Sequence, residues 1–246
     1  MIDLYSTAYG ASPNAYKIIF MLEELEIPYR IIEVKLPEGE QFKPEFLKIS
    51  PNNKVPAIVD HAPADGGGPL RVFESGSIMV YLADKTGRFI PPQTEMRKRT
   101  EVLNWVFWQM AGMGPHMGQL FHFQVYAPEK IPYAIRRYGN EMSRLFAVLE
   151  KRLSESEWVG GDEYSIADMI IFASTHEFRR IEQLDHDQLG HFIAWHERIK
   201  ARPAYGRAYN PDKTESSTIG ADVYMADKAW NILFNQDASY LDKPPV

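Results

Sequence analysis

The hydrophobic period of this chain changes once, near residue 90, and that change restricts its fold more than any other feature. Before it, short apolar runs at Ile2–Tyr5, Tyr29–Val34, Ala57–Asp60 and Leu70–Phe73 alternate with helical patterns at Ala15–Glu26, Pro44–Ile49 and Ser75–Lys85. The order is βαβαββα. Helical crossovers between strands require right-handed parallel connections, and the last two strands read as a hairpin, so the segment predicts a small mixed sheet covered by helices. The run Asp65-Gly66-Gly67-Gly68-Pro69 suits the hairpin connection and equally suits a plain surface loop. After Phe89–Thr94, which contains Pro91-Pro92, apolar residues recur at helical spacing only. Helices are expected at Met96–Ala111, Tyr133–Leu153, from Ser165 through Ala173, and Phe192–Ala201, the last stopped by Arg202-Pro203. Ser165 with Asp168 three positions on has the form of a capping box. The chain therefore predicts an α/β domain over 1–88, an all-helical domain over 94–210, and a docked extension over 211–246 carrying an amphipathic run at Ala221–Phe234.

With 246 residues, 45% of them hydrophobic, the chain can bury one large core or two modest ones. Acidic residues exceed basic ones, 33 to 27, which argues against a nucleic acid or an anionic membrane as partner. No basic leader precedes an apolar run and no segment approaches the ~20 apolar residues of a bilayer span, so the expectation is a cytoplasmic protein. The chain has no cysteine. That removes disulfides, thiolate metal ligands and any cysteine nucleophile, and leaves sulfur chemistry to a ligand's sulfur. His116 and His122, like His186 and His191, lack the spacing of a metal site, and no metal is expected.

Ser12-Pro13-Asn14 joins the first strand to the first helix. Pro13 suits the first helical position, Ser12 suits the cap before it, and free N–H groups at a helix start attract an anion. Any capped helix begins in the same way, so the tripeptide needs a context. The aromatic run Trp105, Phe107, Trp108 reads first as a core stripe, with the lining of an acceptor pocket or a dimer cleft as alternatives, and Gly112-Met113-Gly114-Pro115 as a break or kink after it.

The context comes from Val55-Pro56-Ala57 entering a strand and Glu74-Ser75-Gly76 opening a helix, inside a βαβαββα domain followed by helices. This combination resembles the cytosolic glutathione transferases. The run Ser50 to His61, then Pro63-Ala64-Asp65-Gly66-Gly67, Phe73-Glu74-Ser75-Gly76 and Ile131-Pro132-Tyr133-Ala134-Ile135 are similar to the Nu class and the related fungal nitrogen-regulator branch. The likeness spans about 1–210 and is sharpest over 41–85. It implies a thioredoxin-like domain plus an all-α domain, used as a homodimer with glutathione as cosubstrate. It further implies a cis Pro56, with the backbone of Val55 and Pro56 pairing with the cysteinyl unit of glutathione. Glu74 would take the γ-glutamyl ammonium and Ser75 its carboxylate, Gln41 and Lys54 the glycyl end, and Arg137 the glutathione of the neighbouring subunit. Ser12 and Asn14 would hold the thiolate. Other classes use a tyrosine there, which makes Tyr5 and Tyr9 rivals ranked below them. The activity implied is reduction of glutathione disulfide or other small disulfides by bound glutathione. Conjugation of glutathione to electrophiles, or regulation by a glutathione-binding protein, are the alternatives.

Overall fold

The computed structural model describes residues 1–7, 12–210 and 227–238. The chain divides into two compact units, Met1–Tyr81 with Arg207–Val246, and Leu82–Gly206.

The first unit is built on β1 (Ile2–Ser6), which lies inside the four-stranded sheet β2-β1-β3-β4. It pairs in parallel with β2 (Tyr29–Glu33) and antiparallel with β3 (Ala57–Asp60), and β3 pairs antiparallel with β4 (Leu70–Phe73). Parallel pairing of β1 and β2 needs a crossover, and α1 (Pro13–Leu25) supplies it. Ile18, Ile19, Phe20, Met21 and Leu22 of α1 are fully buried, as are Ile2, Leu4 and Ile58 of the sheet. Five consecutive buried positions mean that α1 is covered on all sides. It ends at Glu26, in the left-handed conformation at φ 57°, where the Ile27 N–H closes on the Leu22 carbonyl. A short α2 (Pro44–Leu47) follows β2, and α3 (Ser75–Thr86) follows β4. The βαβαββα order read from the sequence is the order observed.

Two later segments also belong to this unit. Tyr209 stacks on Tyr16 of α1, with ring centroids 4.5 Å apart and planes within 9°. Arg207 binds the Glu23 carboxylate at 3.0 Å and the Glu23 carbonyl at 2.8 Å. A further helix at Asp227–Phe234 packs on the 3₁₀ turn Leu36–Glu38 and buries Ala229 and Ile232.

The second unit is helical: α4 (Met96–Trp108), α5 (Gly114–Phe121), α6 (Pro132–Glu155), α7 (Ile166–Thr175), α8 (Gly190–Lys200) and the short α9 (Pro203–Ala208), which runs on into the first unit. Met142, Leu145, Phe146, Leu149 and Leu153 line the buried face of α6. The capping box is present at α7. The Asp168 carboxylate accepts from the N–H groups of Val159 and Ser165 and from the Trp195 indole, and burial pushes its pKa up to about 6.

Two expectations are corrected here and one is extended. The Gly112–Pro115 run does not break the helix; the chain passes through a π turn at Gln109–Met113 into α5, and through another at His122–Tyr126. Pro115 cannot donate to the carbonyl four residues back and its ring crowds that group, which a locally widened turn relieves. Gly114 fits there because a Cβ would lie 3.0 Å from Gln109 Nε2 and 3.2 Å from its carbonyl oxygen. Arg202-Pro203 follows the end of α8 as expected, and Pro203 also opens α9, at a first-turn position where its missing N–H costs nothing. Phe107 is not core, being 64% exposed while Val102 and Val106 are buried. Among the described residues no helix is long and apolar enough to cross a membrane.

Asp3 ties the sheet together across its strands. It lies opposite Arg30 in the parallel register, forms two hydrogen bonds with that guanidinium, and meets His61 Nε2 at 2.8 Å. The Arg30 hydrogen bonds hold the buried Asp3 carboxyl down at about 2, from 3.8. A carboxylate whose folded pKa is depressed contributes stability above its unfolded pKa and loses it as pH falls toward the folded value. Urea unfolding should therefore show stability falling as pH drops from about 4 to about 2, and Asp3→Asn should lower stability at pH 7 while flattening that slope.

Candidate functional site

The register of the sheet gathers the sequence motifs at one edge. Tyr5, near the end of β1, sits opposite Ala57, the first residue of β3, and Ala57 sits opposite Phe73, the last residue of β4. The segment after β1, the one before β3 and the one after β4 therefore leave the sheet on the same side. Ser6 lies opposite Glu33, so the chain leaving β2 toward Gln41 starts from that side too.

At the first of these exits Ser12 has extended backbone, φ −138° and ψ 125°, and its carbonyl accepts from the Tyr16 N–H at 3.1 Å. It is the cap by backbone position. Its hydroxyl makes no capping bond, which departs from the expected capping chemistry and leaves it half-buried beside a helix start with Pro13 first and Asn14 exposed next. No acidic side chain occupies the first turn of α1. An anion arriving there meets uncompensated N–H groups, a hydroxyl and a carboxamide. Tyr5 packs its ring on Phe46 at 6.2 Å. Tyr9 lies outside the described residues.

At the second exit the Val55-Pro56 peptide is cis, as the resemblance implies. Ser50 Oγ donates to the Lys54 carbonyl at 2.8 Å and the Asn53 N–H to the Ser50 carbonyl at 3.0 Å, with Asn53 at φ 46°. These bonds fix the turn that presents Val55 backbone and the exposed Lys54 side chain. Incomplete hydration lowers the Lys54 pKa from its ordinary value.

At the third exit the cap of α3 is Glu74: its carbonyl accepts from Ile78 N–H at 2.9 Å, and it has φ 68°. Its exposed carboxylate accepts from Asn52 Nδ2 at 3.2 Å. Ser75 is buried in the first turn, and Lys17 Nζ donates to its hydroxyl oxygen at 3.4 Å. Burial brings the Lys17 pKa down to about 7, the Glu74 carboxylate partly opposing this. A carboxylate, a serine hydroxyl backed by a lysine, and a helix N-terminus together match an α-amino-acid zwitterion, which needs both signs within a few ångströms.

Gln41, in the 3₁₀ turn Glu40–Phe42, is buried with its side-chain oxygen unpartnered. The hydroxyls of Ser6 and Thr7, at the end of β1, are buried without a partner as well. Unpaired buried polar atoms are scarce in folded proteins, and these belong to segments leaving the same sheet edge. Arg137 belongs to the second unit, where it is 55% exposed and lies 3.9 Å from Glu141 on its own helix α6. Among the described residues no group of three histidine or acidic side chains converges as metal ligands.

The glutathione S-transferase N-terminal domain model matches residues 11–85 and the C-terminal domain model residues 136–203. The chain belongs to the glutathione S-transferase family. It is 52% identical over 208 residues to the disulfide-bond oxidoreductase YfcG of Escherichia coli, covering 85% of this chain and 94% of that protein. A glutathione transferase from Burkholderia graminis with two glutathione molecules bound per subunit is 38% identical, with a TM-score of 0.78 over 85% of this chain and 88% of that one. Another, from Pseudomonas putida with one glutathione disulfide per subunit, is 33% identical, with a TM-score of 0.76 over 85% and 91%.

Lys17 escaped sequence reading because a lysine inside an apolar helical run passes for a charge on the solvated face. The signal was its position in Ala15-Tyr16-Lys17-Ile18-Ile19-Phe20, where the run leaves little room for a polar face. A group with pKa near 7 is charged below neutrality and largely neutral at pH 8.5. Affinity for S-methylglutathione, which has no thiol to titrate, should fall by roughly fivefold between pH 6 and 8.5. Calorimetry on Lys17→Met should find weaker binding at pH 6 and a flatter dependence.

Proposed function

We propose that this enzyme is a glutathione-dependent disulfide reductase of the Nu class, acting as a cytoplasmic homodimer. The observation that carries the reading is the convergence of the Ser12–Asn14 helix start, the cis Val55-Pro56 turn and the Glu74-Ser75 cap on one sheet edge, in a chain without cysteine. The reaction balances as two glutathione molecules and one disulfide giving two thiols and glutathione disulfide. The first glutathione sulfur attacks the disulfide and releases one thiolate, and the second resolves the mixed disulfide and releases the other. Relatives that hold two glutathiones or one glutathione disulfide support a site with room for both sulfurs.

The residues divide that work by chemistry. Ser12 and Asn14 donate to the attacking sulfur at the start of α1. Val55 and Pro56 offer strand-like backbone to the cysteinyl unit, Glu74 and Ser75 bind the γ-glutamyl zwitterion with Lys17 behind the hydroxyl, and Gln41 and Lys54 take the glycyl end. A thiol of pKa about 8.5 is only a few per cent ionised at pH 7, and lowering it by about two units takes about 2.7 kcal/mol of preference for the anion. A helix N-terminus contributes about 0.3–1 kcal/mol and a hydrogen bond to a charge about 1.5–3 kcal/mol. Ser12 with the helix start thus reaches the required magnitude, and Asn14 adds to it.

Ser12→Ala and Asn14→Ala should each lower kcat/KM for reduction of a small disulfide by about tenfold or more, the scale of one charge-assisted hydrogen bond. Tyr5→Phe should have a smaller effect. Steady-state assays run in parallel with a disulfide and with an electrophilic arene would decide the reaction type, and faster conjugation than reduction would overturn the assignment. Loss of activity in Tyr9→Phe with activity kept in Ser12→Ala would move the thiolate site.

Arg137 reaches the glutathione of the neighbouring subunit in this reading, which makes each site composite. Verified heterodimers of Arg137→Ala and Asn14→Ala subunits should regain activity above either parent, because one of their two sites has both groups intact. A monomer that is fully active by light scattering and assay would remove the shared site.

A further inference from the structure

Lys54 and Asn53 share an acceptor that comes from the far end of the chain. The helix α10 (Asp227–Phe234) sits on the Leu36–Glu38 turn with Ala229 and Ile232 buried, and Gln236 follows it by two residues. Gln236 Nε2 donates to the Ile232 carbonyl at 2.7 Å, in the last turn of α10. With its amide nitrogen spent there, the side-chain oxygen faces outward, accepting from Asn53 Nδ2 at 3.1 Å and from Lys54 Nζ at 3.5 Å. A carboxamide tied at both ends has one orientation, because reversing it would set two donors against donors and an acceptor against a carbonyl. Asn53, the stronger of the two partners, is 4% exposed and fixed by its own bond to Ser50.

We infer that Gln236 is a positioning residue for Lys54, so that the C-terminal segment completes the glycyl end of the glutathione site and sets how strongly the enzyme demands a free glycyl carboxylate. This rests on the functional reading above, in which Lys54 meets that carboxylate. The chemistry of the acceptor matters. An ammonium has three donors, and a neutral carbonyl takes one of them without cancelling the charge, leaving two donors and the full charge for the ligand. A carboxylate at the same place would pair with Lys54 and repel the glycyl group. Gln236 therefore restrains a long, mobile side chain while leaving it positive, which lowers the ordering cost of binding.

The test compares two thiol donors, glutathione and its glycyl ethyl ester, which differ at the glycyl end alone, where the ester lacks the charge that Lys54 is held to recognise and carries an ethyl group instead. Full-length Gln236→Ala should raise KM for glutathione about threefold and Gln236→Glu about tenfold, with kcat held within about twofold, while KM for the ester moves little. Gln236 acts through Lys54, so the Gln236→Ala effect should vanish in a Lys54→Met background, where the preference for the free carboxylate is already lost. Equal effects on both donors, no effect on either, or additivity with Lys54→Met would overturn the inference. A preference for glutathione that survives Lys54→Met would instead show that Lys54 does not meet the glycyl carboxylate, while reduction at the wild-type rate in that variant would leave the disulfide reductase reading standing. Thermal midpoints of all variants separate a local effect from unfolding.

Discussion

The row Tyr5–Ala57–Phe73 across three strands is the constraint on which the site depends. Antiparallel pairing puts the start of β3 beside the end of β1 and the end of β4 beside the start of β3, so three connections with unrelated sequences leave the sheet together. A slip of one residue would turn every side chain to the other face, and buried Ile2, Leu4 and Ile58 oppose it. The apolar alternation that builds the core thereby also sets where Ser12, Val55 and Glu74 emerge. Asp3 adds a polar restraint from β1 to the neighbouring strand at Arg30 and to the end of β3 at His61.

Within this frame fixed backbone and side chains meet. The extended Ser12, the cis Val55-Pro56 turn and the positive-φ Glu74 each present main-chain groups at a fixed angle. Charged side chains stand around them: Glu74 outside, Lys17 buried behind Ser75, Lys54 at the exposed rim. The buried ammonium is costly to hold, and its pKa near neutrality records that cost. Buried groups held at such expense are concentrated at sites that bind or react.

Much of this architecture was legible before any coordinates. The strand and helix order of residues 1–86 follows from period and turn chemistry, and the Ser165–Asp168 capping box from four residues. What was not legible arose where local rules meet a tertiary demand. Gly112–Pro115 looks like a stop because proline removes a donor, yet a π turn absorbs the mismatch and the helical path continues. Ser75 opens α3 as the helical period predicts, yet nothing in the residue types shows that Glu74, at the cap, takes a positive φ. Ser12 was recognisable as a cap only in its backbone, since no pattern of residue types shows where a hydroxyl points. Lys17 and Gln236 were hidden for the same reason: burial in one case and a partner 183 residues away in the other are properties of the folded chain.

The first unit is discontinuous in sequence, and this bears on the order in which the protein can be finished. A ribosome releases β1 to β4 with α1 long before it reaches Tyr209, which stacks on Tyr16, or Gln236, which meets Asn53. Until those residues emerge, α1 and the turn before β3 lack part of their cover. Contacts that span so much sequence form late and carry the entropic cost of closing the longest loops. A chain cut between α3 and Gln236 has all four strands and the Val55-Pro56 turn but lacks the acceptor that Asn53 and Lys54 share, so on the inference above it would hold a glycyl carboxylate more weakly.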